Sequence, residues 1–245
     1  MDRRIFISTL MSLPFSATAR AALPWKAEFV VGGFDGKTYA AGFRVIMDKD
    51  WKTYWRNPGT AGIPPYIEIT GGNLASVTID FPLPKRIIEE SGEALGYHDE
   101  VIFPLTLKPI DATKPVAAHL SSFFGICAVV CTPAKFEADG KFALDNPQQF
   151  LITKWQMRVP QPAQFITATH LVDKFLVLEL NQPIIDLFVE GPDNLYFRAP
   201  DFSKEAGKAW IKVERLKDTK DLLGIDLRIT ADANGQGLEQ HVVVA

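Results

Sequence analysis

From Trp25 onward, apolar and polar residues alternate along the chain with a period of two. Tyr39, Ala41, Phe43, Val45 and Met47 fall on one side of such a register. Val77, Ile79 and Phe81 form a second set, and Val101, Phe103, Leu105 and Leu107 a third. This spacing predicts strands with one face on a core. Gly32-Gly33, Asn57-Pro58-Gly59, Gly71-Gly72-Asn73 and Asp139-Gly140 read as the turns between strands. Many short strands at such intervals predict a sandwich or barrel. The alternation breaks once. Asn146 suits a helix cap, Pro147 suits the first turn, 148–157 holds no breaker, and Pro160 and Pro162 stop the helix. Alternation returns over 165–172 and 175–180, with Asp173-Lys174 as a hairpin turn, and again over 195–197, 209–216, 224–229 and 241–244. The expectation is an all-β chain of two β-sandwich domains, 25–145 and 163–245, joined by a short helical connector over 146–162.

The first 21 residues read differently. Arg3 and Arg4 precede a short apolar stretch over 5–15, and Ala19-Arg20-Ala21 supplies a small-x-small cleavage site. A bilayer span needs roughly 20 apolar residues. This stretch is shorter and is interrupted by Ser8, Thr9, Ser12 and Pro14. It therefore reads as an export signal, and Arg3-Arg4-Ile5-Phe6-Ile7 resembles a twin-arginine signal. The later stretch 115–131 contains His119, Ser121 and Ser122, which suits a buried strand better than a span. A protein exported to an oxidising space, soluble and with no stable membrane insertion, is expected.

Composition narrows the function. With 47% hydrophobic, 11% aromatic and 22% charged residues, the chain is neither disordered nor coiled coil nor collagen-like. Its 26 basic and 29 acidic residues give a net charge of −3, so it has no basic field for phosphates and nucleic acid is not an expected partner. No Ser/His/Asp motif or helix-borne metal box supports hydrolase chemistry.

The two cysteines, Cys127 and Cys131, carry the candidate chemistry. Residues four apart in a strand lie about 13 Å from each other, whereas bridged Cα atoms approach to about 6 Å. A bridge thus requires the chain to bend between them, with Pro133 helping to end the strand. So small a ring gains only about 2 kcal/mol from chain entropy. A bent local disulfide of this kind can exchange readily. A plain staple and a pair of buried free thiols are the structural alternatives. Zinc, with His98 and His119 as further ligands, is poorly matched in spacing, so no metal is expected. A thioredoxin site has a two-residue spacing and does not fit. A second cluster gathers Trp51, Tyr54, Trp55 and Arg56 ahead of a Pro/Gly-rich loop ending at Pro65. The aromatics either fill a core or form a recognition surface. Arg56 either pairs with a carboxylate or sits near the thiols, where it would favour thiolate.

Taken in order, 51–65, Pro82-Leu83-Pro84-Lys85-Arg86, Leu95-Gly96-Tyr97, Pro104-Leu105 and Cys127-x-x-x-Cys131-x-Pro133 resemble the periplasmic N-terminal region of DsbD-type disulfide reductases, in particular its ScsB-like branch. The resemblance covers 25–160 well and the second half more loosely. It implies immunoglobulin-like sandwiches, a periplasmic location and a redox-active Cys127–Cys131 pair, with Cys131 attacking and Cys127 resolving. A capping loop would fall near Glu93-Ala94-Leu95-Gly96-Tyr97, centred on Leu95, Gly96 and Tyr97, with Leu95 or Tyr97 shielding the dithiol. Trp51, Tyr54, Trp55, Arg56 and Pro133 would support the site or bind a partner. The implied partners are thioredoxin-like periplasmic proteins and a membrane electron transporter. No cofactor is expected, because the cysteines carry the two electrons themselves.

The sequence departs from the family pattern in three places. Ala128-Val129-Val130 are apolar where charged residues are common, which predicts deeper burial and a less acidic thiol. Thr60 stands where Asp is usual. The chain ends at Ala245 without membrane or thioredoxin-like parts, so electrons are expected from separate proteins. The competing expectation is a non-catalytic interaction module with a structural disulfide, its aromatic loop binding a partner. Residues 163–245 are expected to serve as a docking surface, with a spacer as the alternative.

Overall fold

The computed structural model describes residues 23–60, 62–89, 92–142 and 149–245. The leader expected over 1–21, the Asn146 cap and Pro147 lie outside the described residues. The first half comprises β1 (Trp25–Phe34), β2 (Tyr39–Met47), β3 (Lys52–Gly59), β4 (Tyr66–Gly72) and β5 (Leu74–Ile79). It continues through β6 (Lys85–Glu89), β7 (Gly92–His98), β8 (Glu100–Pro109), β9 (Ala117–Cys127) and β10 (Cys131–Lys141). Helix α1 (Gln149–Gln156) and the short β11 (Gln161–Pro162) follow. The second half holds β12 (Ile166–Val172), β13 (Phe175–Leu180), β14 (Asp186–Glu190) and β15 (Tyr196–Asp201). It closes with β16 (Lys208–Glu214), β17 (Asp226–Ala233) and β18 (Gln236–Val243). The fold is all-β and immunoglobulin-like.

One sheet of the first half runs β1-β2-β8-β5. The other runs β10-β9-β3-β7-β6, with β4 also paired to β9. Alternation does what the sequence suggests: Phe43 on β2, Phe103 on β8 and Phe124 on β9 are fully buried in one core. Burying each ring contributes about 1.5–3 kcal/mol of transfer free energy. On β9 the even-numbered residues Ala118, Leu120, Phe124 and Ile126 face that core, so Phe123 and Cys127 point to the outer face. The second half pairs β11-β18-β17-β14 and β12-β13-β16-β15 around a separate core.

Three expected turns are not turns. Gly32-Gly33 lies within β1, Asn57-Pro58-Gly59 at the end of β3, and Asp139-Gly140 within β10, opposite His119 and Ala118. The β3–β7 register shifts between Tyr54 and Gly59, which absorbs Pro58 without ending the strand. Gly32 is there because α1 crosses it: a Cβ would stand 2.7 Å from Ile152 Cδ1 and 2.6 Å from the Ala40 carbonyl. These glycines serve close approach rather than reversal. Gly71-Gly72-Asn73 does turn the chain, with Asn73 at φ 59°.

The helix expected after 146 forms, and it does more than connect. Ile152 and Trp155 are buried, Trp155 in the first core, and the Gln149 side-chain oxygen accepts from the Gly33 amide at 2.7 Å. β11 falls inside the expected connector yet pairs in parallel with β18. β14 has no counterpart in the sequence reading, because it is buried on both faces. Leu187 and Val189 enter the second core while Phe188 enters the first, 5.9 Å from the Trp55 ring. Arg56 then bonds Glu190 at 2.7 Å and Glu239 at 2.8 Å, and Arg86 bonds Asp186 at 2.9 Å and pairs with Glu93. Among the described residues no helix is long and apolar enough to cross a membrane.

Candidate functional site

β9 and β10 form a hairpin whose ladder runs from Ala117↔Lys141 to Cys127↔Cys131. The two cysteines are its last facing pair, with Cα atoms 4.2 Å apart and the sulfurs joined in a disulfide. The bend that the spacing demands is the three-residue loop Ala128-Val129-Val130. Pro133 does not end a strand; it lies exposed on β10, opposite Gly125, at the edge of the sheet. An edge tolerates proline because the missing N–H has no neighbour to bond.

The two sulfurs occupy unlike surroundings. Cys127 is 1% exposed, whereas Cys131 is open to solvent. Val129 and Val130 are 99% and 72% exposed, so the deeper burial expected from an apolar loop does not hold. Reversing direction within three residues turns their side chains away from the sheet, whatever their hydrophobicity.

Tyr54 on β3 covers the buried sulfur. Its hydroxyl donates to Cys127 Sγ at 2.8 Å and lies 3.0 Å from Cys131 Sγ. Ala94 and the partly buried Ile87 pack with Tyr54 and Cys127 in a small cluster of their own. The segment after β3 lies against the same ring: a Cβ on Gly62 would come within 2.5 Å of Tyr54 Cδ1 and Cε1. On the other side, a Cβ on Gly125 would come within 3.1 Å of Tyr54 Cδ2. Burial, and after it the Glu89 carboxylate, push the Tyr54 hydroxyl above the ordinary tyrosine value.

Lys52, two residues earlier on β3, stands opposite Cys127 and is 2% exposed. Its ammonium pairs with Glu89 on β6 and donates to the Ala128 carbonyl at 3.4 Å. The Thr53 hydroxyl donates to the Gly125 carbonyl at 2.9 Å. Together these bonds fasten the end of β9, and with it the hairpin loop, to the neighbouring strand β3.

The expected capping segment passes beside the disulfide, with Ala94 rather than Leu95 or Tyr97 packed with Cys127. Leu95 and Tyr97 point into the first core, where burial pushes the Tyr97 hydroxyl well above its ordinary value and it donates to the Pro82 carbonyl at 2.7 Å. Alternation on β7 puts Ala94 on the disulfide's side instead, and Gly96 sits opposite Tyr54 where a Cβ would strike the Thr53 carbonyl. Trp51 is half-buried and Trp55 fully buried against the core. Arg56 pairs with carboxylates, the first of its two expected roles, and lies in the contact with the second half. Lys52, Glu89 and Ile87 were not picked out by sequence. Lys52 inside an aromatic run was a signal, but its partner is 37 residues away. His119 bonds Asp139 at 2.8 Å and His98 lies 3.2 Å from the Trp51 carbonyl. No metal-holding group of three or more His, Cys, Asp or Glu side chains occurs among the described residues.

Fold and site define an immunoglobulin-like sandwich protein with a half-exposed disulfide closing an edge hairpin. Residues 18–163 match the family of the thiol:disulfide interchange protein DsbD, N-terminal region, and the chain belongs to that family. The structure resembles the N-terminal periplasmic domain of ScsB from Proteus mirabilis with a TM-score of 0.75 at 18% identity, over 93% of this chain and 96% of that one. That likeness extends the shared fold through both halves. The DsbD N-terminal domain of Neisseria meningitidis in its reduced form aligns over 46% of this chain and 84% of that one, with TM-score 0.28 and 19% identity. A chain from the Neisseria meningitidis complex between the DsbD N-terminal and PilB N-terminal domains aligns over 51% of this chain and 94% of that one, with TM-score 0.29 and 19% identity. No curated protein sequence matches the chain.

Proposed function

We propose that this protein is a periplasmic thiol-disulfide oxidoreductase that relays reducing equivalents from a membrane or thioredoxin-like donor to client proteins. Cys131 is the sulfur that meets the partner and Cys127 the one that resolves the mixed disulfide. The observation that carries this reading is the unequal exposure of the two cysteines within one bonded pair. Exchange proceeds through attack on an accessible sulfur, which supports Cys131 as the one that bonds to an incoming protein.

A staple is a poor account of the same bond. Eleven facing residue pairs already zip β9 to β10, and the ring that the disulfide closes is very small. The entropy removed from the unfolded chain is correspondingly small. The test is trapping with Cys127→Ala in the cell envelope. A covalent adduct held through Cys131 to a thioredoxin-like protein is expected. A couple below roughly −300 mV, together with no adduct, would leave the interaction module with a structural disulfide.

A further inference from the structure

We propose that Tyr54 is a catalytic residue of the exchange, its hydroxyl holding the electron pair that lands on Cys127 whenever the disulfide opens. The proposal deepens the oxidoreductase reading and rests on it. Two distances carry it: the hydroxyl is 2.8 Å from Cys127 Sγ and 3.0 Å from Cys131 Sγ, so one donor spans the bond that must break.

A thiolate of a dithiol partner bonds to Cys131 Sγ, the Cys127–Cys131 bond breaks, and its electron pair stays on Cys127 Sγ. The partner's second thiol then loses its proton and displaces Cys131 from the mixed disulfide. The partner leaves oxidised, its two electrons remain on the Cys127 and Cys131 sulfurs, and the two protons come one from its second thiol and one from solvent, which took up the proton its first thiol had shed. When the reduced protein acts on a client disulfide, the order reverses and Cys127 attacks Cys131 as thiolate. In both directions the negative charge passes through a sulfur that is 1% exposed. Water is kept from that sulfur, and a buried anion without a donor is costly. Tyr54 brings the donor within the protein, and a hydrogen bond to a charged acceptor is stronger than one to a neutral acceptor. Preorganised donors aimed at developing charge are the most effective kind.

The surroundings keep the phenol a donor. Its ring is clamped between Gly62 and Gly125, which holds the phenol oxygen beside the two sulfurs. The charged groups beside it are Glu89 on β6 and Lys52 on its own strand, and these pair with each other. Burial first and Glu89 second raise the hydroxyl further above a thiol, so the proton stays on oxygen while the sulfur carries the charge.

The test is reduction of the purified full chain by dithiothreitol, followed by alkylation, in the wild type and in Tyr54→Phe. Phenylalanine keeps the ring and removes the donor. Reduction about tenfold slower or more is expected, as for loss of a hydrogen bond to a charged group. In the Cys131→Ser background, the pH profile of Cys127 alkylation should move up by about one unit on Tyr54→Phe. The Cys131 profile in the Cys127→Ser background should move much less. Fluorotyrosine at position 54, a more acidic phenol of nearly the same shape, should move the Cys127 profile down, which a folding defect cannot imitate. Equal rates and unmoved profiles in both variants overturn the role of Tyr54 while leaving the oxidoreductase reading intact. A wild-type disulfide that resists both dithiothreitol and thioredoxin-like proteins overturns both.

Discussion

Cys127 and Cys131 face each other as the final pair of one antiparallel ladder, 4.2 Å apart at Cα and both within reach of the Tyr54 hydroxyl, yet Cys127 is buried and Cys131 is exposed. A symmetric backbone arrangement thus presents an asymmetric pair of sulfurs. The asymmetry comes from strand position. β9 is flanked on both sides, and its end is covered from β3, whereas β10 is an edge.

In the reduced protein, Cys131 should be alkylated by iodoacetamide at least about tenfold faster than Cys127, because reactivity follows access as well as thiolate fraction. Mass spectrometry of briefly quenched samples measures this. Equal labelling would contradict the burial described for Cys127.

Leu95→Ala separates a core residue from a cap. Truncating a buried leucine should cost about 2–4 kcal/mol in urea unfolding. The rate of disulfide reduction under native conditions should stay within about twofold of wild type, since Leu95 faces the first core. A large rise in reduction rate without loss of stability would restore the shielding role.

Val129→Ser and Val130→Ser should change stability by less than about 0.5 kcal/mol each, as the side chains touch solvent rather than protein. If this tip meets the partner, the doubly substituted Cys127→Ala protein should collect less trapped adduct than Cys127→Ala alone. Unfolding curves and adduct yield are the two readouts, and unchanged yield would place the partner elsewhere.

Arg56→Met should destabilise the protein by about 3 kcal/mol, because it strands Glu190 and leaves Glu239 with Arg228 alone in the contact between the two halves. A pH dependence accompanies it. Burial pushes the Glu239 carboxyl up, but Arg228 and Arg56 outweigh burial and hold it below its ordinary value of 4.5. Its stabilisation is therefore complete above about pH 4.5 and is lost as pH falls through the lower folded-state value. Nearby Asp80 is raised by burial, offset by Arg56, so its protonation in acid works the other way. Urea unfolding across pH 3–6, as the chosen window, should show wild type losing stability towards acid and Arg56→Met losing less.

Most of the fold was legible as period-two alternation, since a strand with one solvated face writes its burial directly into sequence. β2, β8, β12 and β13 fell where the alternation put them, with the turn at Asp173. β14 did not, because Phe188 and its neighbours Leu187 and Val189 are buried on opposite faces and leave no alternation to read. The glycine pairs at 32–33 and 139–140 misled for a related reason. A glycine that admits a neighbouring chain and one that turns its own chain look the same in a sequence.

By itself, the sequence determined that this is an all-β chain with two cysteines too close to pair unless the strand reverses between them. Local chain geometry dictates both. The tertiary structure alone decided which sulfur is covered and what covers it. Tyr54 reaches Cys127 from 73 residues away and Lys52, held by Glu89, reaches the Ala128 carbonyl from 76, and only the pairing of β3 with β7 and β9 brings them together. Which way β7 faces likewise chose Ala94 over Leu95, because a one-residue step along a strand exchanges one face for the other.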